Sequence, residues 1–207
     1  MDGGSWFSEA LLPSAFLARY RNDTLSESWT HADAVIGHFK IGAAGKADCS
    51  IKPDAKQFVV CEAKVFSTLS PGVRNAPYYD QAARNVACIG EVLRRGSVCP
   101  KQLESLAFLV LSPIEMIHAG AFSQELTRES VKRKVHQRVS EYASVSQDSW
   151  LNERFLPLLK RIEIAPLSWE EAIAFICRED EVNGVAIKSF YDQVLRFNRP
   201  FGFVAEV

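Results

Sequence analysis

The sequence predicts an α/β fold in which a mixed sheet is flanked by helices. Three observations lead there. Short apolar runs of strand length ("DAVIGHFKI", "QFVVCEAKVF", "LAFLVLSP") are interleaved with longer segments of helical period. The run from Leu106 to Pro113 is apolar throughout, as in a strand covered on both faces. The segments "PYYDQAARNVACIGEVLRR" and "SWEEAIAFI" carry helix start and stop signals. The 207 residues show no internal repeat, low-complexity tract or long linker, so a single domain over 1–207 is expected.

Each element has its own argument. Ser5 as N-cap, with Trp6, Ala10, Leu11, Phe16, Leu17 and Tyr20 on one side, predicts a first helix over about 5–20. Residues 33–41 read as a strand and "GAAG" at 42–45 as a turn. "KADCSIK" and "QFVVCEAKVF" read as two strands joined across Pro53, Asp54 and Ala55. After the loop "STLSPGVRNAP", Tyr78, Ala82, Val86, Ile89 and Leu93 fall at helical spacing, with Pro77 before them and Gly96 after. A charged helix over 124–143 has Val131, Val135, Val139 and Tyr142 as its inner stripe. The strand "RIEIA" precedes a helix whose Ser168 and Glu171 have capping-box spacing, and a last helix covers about 185–197.

Composition narrows the function. Hydrophobic residues make up 47% and charged residues 24%, and the formal net charge is -1. A nucleic-acid contact would therefore rest on a local patch or a metal and not on a basic excess. The first twenty residues lack a basic segment followed by an apolar core, and no run nears 18 apolar residues. A cytoplasmic protein with no membrane span is expected. Five cysteines without a CxxC pair read as reduced thiols and not as a zinc or iron–sulfur site. His31, Asp33 and His38 are spaced to reach a metal together, but ordinary polar roles are the reading taken.

The stretch "KADCSIKPDAKQFVVCEAKVF" (46–66) carries the chemistry. Side chains alternate along a strand, so Phe58, Val60, Glu62 and Lys64 share one face. Two charges on a buried face are costly unless paired, wetted or bound to an ion. A hairpin centred near Ala55 would set Asp48 opposite Glu62, with Cβ atoms about 5 Å apart. Two facing carboxylates repel, and a divalent cation relieves the repulsion. Lys64 follows on the same face, where it can stabilise an anion or orient a water. An isolated ExK is common by chance; the apolar run, the facing aspartate and the preceding turn distinguish this one.

This arrangement resembles the PD-(D/E)xK nuclease superfamily, whose restriction-endonuclease-like core runs α-β-β-β-α-β around a mixed sheet. The resemblance covers about residues 5–113 and leaves 114–207 as a C-terminal, largely helical elaboration. Gly45-Lys46-Ala47-Asp48 is similar to the GxxD element of RecB-type nucleases, Glu62-Ala63-Lys64 to their (D/E)xK, and Gln81 to their helix-borne glutamine. Asn85 stands where that group has a tyrosine, Ala47 and not proline precedes Asp48, and the four-cysteine cluster of some relatives is absent. The resemblance implies that Asp48, Glu62 and the Ala63 carbonyl hold Mg²⁺ or Mn²⁺, with Glu9 as a candidate further ligand. It also implies that Lys64 positions the nucleophilic water and that Gln81 supports the site. The expected activity is metal-dependent hydrolysis of nucleic acid, DNA first. The alternative is an inactive binding subunit of the same fold in a larger nucleic-acid-processing or defence complex. Homodimer and partner subunit both stay open. Arg74, Tyr78 and Tyr79 are candidate substrate contacts, and the basic run Arg128–Arg138 reads as a solvated helix face.

Overall fold

The computed structural model describes residues 3–43, 45–72, 75–142 and 145–199. It is an α/β fold with a five-stranded mixed sheet flanked by helices. The strands are β1 (Ser5–Leu12), β2 (Thr30–Gly37), β3 (Phe39–Ile41), β4 (Cys49–Ile51), β5 (Gln57–Ala63), β6 (Ser105–Ser112) and β7 (Glu163–Ser168). The large sheet has the order β1-β2-β5-β6-β7, while β3 and β4 pair separately. The β1–β2 and β2–β5 pairs are antiparallel, and the β5–β6 and β6–β7 pairs are parallel.

The first expected element is corrected. Residues Ser5–Leu12 form a strand and not a helix, because "SWFSEALL" lies in antiparallel register along β2 from Ser5–Gly37 to Leu12–Thr30. Glu9 takes φ 55°, which interrupts this ladder between the Ser8–Ala34 and Ala10–Ala32 pairs. The predicted strand over 33–41 begins at Thr30 and breaks at Gly37. Gly37 has φ 133°, and a Cβ there would lie 2.1 Å from the Gln57 carbonyl oxygen. Only glycine lets β2 approach β5 so closely and then turn away into β3.

Helices α1 (Gln81–Arg95) and α3 (Arg128–Tyr142) follow the expected pattern, with α2 (Ile114–His118) between them. Asp80 caps α1 by accepting from the Ala83 amide at 3.0 Å. Val131, Val135, Val139 and Tyr142 form the buried stripe of α3. Helix α4 (Val145–Trp150) passes through a π turn into α5 (Leu156–Leu159), and β7 leads into α6 (Trp169–Glu179) and α7 (Glu181–Asn198). The capping box of α6 is formed: Ser168 Oγ accepts from the Glu171 amide at 3.0 Å, and the Glu171 carboxylate accepts from the Ser168 amide at 3.2 Å. One buried cluster extends from Ala10 to Ile162, with Phe58, Val60 and Phe108 from the sheet against Ala82, Val86 and Ile89 of α1. Among the described residues no helix is long and apolar enough to cross a membrane.

Two expectations about α3 and the loop before α1 change. Arg138 is not a solvated cation: its side chain is 1% exposed and its Nε donates to Glu27 Oε1 at 2.9 Å. Tyr79 lies in the core, edge-on to Phe16 at 5.9 Å, and Tyr78 donates to Glu141. Arg74 lies outside the described residues. All five cysteines are free, with Cys49, Cys61 and Cys88 buried.

Candidate active site

The site is built at the C-terminal end of β5. Strand alternation turns Phe58 and Val60 into the main core, and Glu62 continues on their face. Glu62 is 3% exposed. Its Oε1 accepts from Lys64 Nζ at 3.0 Å and from Gln81 Nε2, while its Oε2 is buried without a hydrogen-bond partner. Gln81 opens α1, and its own Oε1 accepts from the Ser70 amide at 3.1 Å, which fixes the amide's orientation. Lys64 is anchored on both backbone sides: its amide donates to the Leu111 carbonyl, and its carbonyl accepts from Trp169 Nε1 at 3.1 Å. Glu62, Lys64 and Gln81 are thus brought together.

Asp48 is not part of that cluster, which corrects the expected hairpin. β5 pairs with β2 and β6, and not with β4. The β2–β5 register pairs Ala34 with Cys61, so its continuation sets Asp33 opposite Glu62. Asp33 Oδ2 accepts from the Ala63 amide at 2.7 Å. Asp48 instead bridges to Leu11, whose other partner is His31, so β1 and β2 lie between Asp48 and β5. Three strand spacings put the Asp48 and Glu62 backbones about 14 Å apart, too far to share one small cation. The Asp48 carboxylate accepts from the Gly45 amide, closing the GxxD turn on itself. Glu9, on strand β1 and not on a helix, is 71% exposed in its side chain and 3.6 Å from His31 Nδ1. His38 Nδ1 accepts from the Lys56 and Gln57 amides, a role in the β2–β3 corner.

Burial is the main reason the Glu62 carboxyl is raised above the ordinary carboxylate range; Lys64 opposes the shift and the Asp33 charge adds to it. Raised in the folded state, the group binds its proton more tightly folded than unfolded. Its contribution to stability is therefore full below the unfolded value of about 4.3 and is lost as pH rises through the folded value. In EDTA, the melting temperature of Glu62→Gln is expected to gain on the parent's as pH rises from about 4 through neutrality. Parallel curves would mean that Glu62 ionises as an ordinary carboxylate.

A cleft of about 450 Å³ opens over Glu62, Asp33 and Gln81, walled by Trp29, His31 and Arg84. Sequence reasoning missed Asp33 as the facing acid, and it missed Trp29 and Arg84 altogether. The signal for Asp33 was present: it is the only charge in the run 32–37, as Glu62 and Lys64 are in 58–66. Among the described residues no three His, Cys, Asp or Glu side chains form a metal-holding group. No family model matches this chain, and no curated protein or solved structure matches it.

Proposed function

We propose that this chain is a metal-dependent nuclease of the PD-(D/E)xK kind, hydrolysing phosphodiester bonds of nucleic acid, DNA first. The observation that carries the reading is Glu62: a buried carboxylate bound by Lys64 and Gln81, facing Asp33, with one oxygen lacking any partner. The order also supports it. An acid stands on the second strand of the sheet, ExK on the third, and a glutamine on the helix that follows. Asp33 takes the place that the sequence pattern gave to Asp48, and a strand replaces the superfamily's leading helix.

The donor set fits a hard divalent cation. Mg²⁺ is held by one or two carboxylates, with waters and substrate phosphates completing the shell. Asp33, Glu62 and the Ala63 carbonyl would hold it, and the unpartnered Glu62 Oε2 is a buried acceptor of the required kind. When bound, Mg²⁺ or Mn²⁺ supplies Lewis acidity to water and to the phosphate. Lys64, held beside Glu62, orients the attacking water and offsets charge growing on the phosphate oxygens. Gln81 keeps Glu62 in position and neither gains nor loses a proton.

The test is cleavage of closed circular DNA, linear DNA and RNA in Mg²⁺, Mn²⁺ or EDTA. Cleavage in either metal and none in EDTA is expected, and cutting of closed circles would establish an endonuclease. No cleavage of any substrate overturns the reading. Two variants separate the acids. Asp33→Asn should lose at least about a hundredfold in rate and lose the rise in melting temperature that metal gives the parent. Asp48→Ala should lose about 0.5–1.5 kcal/mol of stability, because the Gly45 amide loses its acceptor, while its rate stays within a few fold. The opposite pattern would return the metal to Asp48.

A further inference from the structure

We propose that the cleft above Glu62 seats one unstacked nucleotide, with the Trp29 indole against its base and the Arg84 guanidinium on its phosphate. The substrate is therefore single-stranded where it enters the site. The inference rests on the nuclease reading for its phosphodiester and adds which residues hold the strand.

Size comes first. At about 450 Å³ the cleft lies in the range of pockets for a single small ligand, about 300–1,000 Å³. A base paired and stacked in a duplex would have to leave the helix to enter it. The lining comes second. Trp29 is half-buried at the wall of the cleft, and Arg95 lies over its ring at 5.4 Å, which holds the indole in place. An aromatic side chain held this way is the usual platform for an unpaired base, whose stacking is tolerant of sequence.

Arg84 comes third. It sits on the first turn of α1, four residues beyond the Asp80 cap, where the helix dipole favours an anion. Its Nε is buried with no hydrogen-bond partner, and its side chain lines the cleft. Asp33 and Glu62 line the same cleft yet are engaged elsewhere, by the Ala63 amide and by Lys64 with Gln81. Arg84 Nε is closed off from solvent, so the terminal Nη donors, which line the cleft without a hydrogen bond among the described residues, are the ones that would meet a phosphate oxygen. Arg84 and Glu62 thus line the same cleft, a guanidinium matched to phosphate and a carboxylate matched to a cation.

The experiment measures binding of a fluorescein-labelled ten-nucleotide oligothymidylate and of a blunt duplex of the same length, in Ca²⁺ and in EDTA, alongside cleavage in Mg²⁺. The parent should bind the single strand at least about tenfold more tightly than the duplex. Trp29→Ala and Arg84→Gln should each weaken single-strand binding about five- to a hundredfold and leave duplex binding unchanged. Trp29→Phe, which keeps an aromatic face, should keep most of the affinity. Melting curves identify a misfolded variant, in which case Trp29→Phe and Arg84→Lys, the conservative pair, decide. If the parent cleaves but both variants bind like it, or if the duplex binds equally well, the seat is overturned and the nuclease reading stands. If the parent neither binds nor cleaves, both fall.

Discussion

Lys64→Ala is expected to slow cleavage at least about a hundredfold with the fold intact. The ammonium lies 3.0 Å from Glu62 Oε1, in a side chain only 12% exposed, at the point where β5 leaves the sheet. Removing it takes a fixed positive charge from where negative charge develops during phosphoryl transfer. Stability should change little. Glu62 is already biased toward its neutral form by burial, and without Lys64 it can take up a proton instead of standing as a bare charge. Gln81→Ala should cost less, since Gln81 orients Glu62 and does not face the developing charge. Initial rates on linear DNA in Mg²⁺, with melting curves of each variant, check both statements. Cleavage near the parental rate by Lys64→Ala would remove the mechanism, and equal losses at the two positions would misplace α1.

Arg138→Ala should produce the largest loss of stability, about 3–5 kcal/mol. The guanidinium is 1% exposed and donates to Glu27 and to the Leu25 carbonyl, beneath the rings of Phe16 and Tyr79. Truncation leaves Glu27, whose side chain is 5% exposed, with Ser14 Oγ as its hydrogen-bond donor. An uncompensated buried charge is the costly part, so Arg138→Met with Glu27→Leu should recover much of what the single change loses. The melting temperature of Arg138→Ala should fall by roughly 10 °C. Because Glu27 also walls the cleft, cleavage should fall further than the folded fraction alone accounts for. A loss under about 1 kcal/mol in urea unfolding would show that the pair is wetted in solution.

Local signals were read well where one element explains them. The α1 pattern, the inner stripe of α3 and the Ser168–Glu171 box depend on neighbours a few residues away, and the structure has all three. Failures came where a distant partner decides. Trp6, Ala10 and Leu11 fit a helical period over so short a window as well as they fit a strand, and pairing with β2 settled it. The closeness of Asp48 and Glu62 in sequence favoured a hairpin, but Gly37 lets β2 lie against β5 and sends the chain between them out as the β3–β4 pair. Nothing in local periodicity says which of two antiparallel partners a strand takes. The face of Glu62 and Lys64 was therefore legible, and the acid across from it was not.

The parallel pairing of β5, β6 and β7 has a kinetic consequence. The pairs β1–β2 and β2–β5 close within the first 63 residues. Joining β6 to β5 must close residues 64–104, and joining β7 to β6 must close 113–162. Contacts between distant positions are slow to form, because loop-closure entropy is spent before any pairing repays it. As the chain leaves the ribosome, β1, β2 and β5 can meet early, yet β5 keeps a bare apolar edge until β6 has been made. That edge is Val59, Cys61 and Ala63 on one face and Phe58 and Val60 on the other. The interval before β6 docks is the time at which this chain is most open to aggregation, and slower synthesis of residues 64–104 should lengthen it.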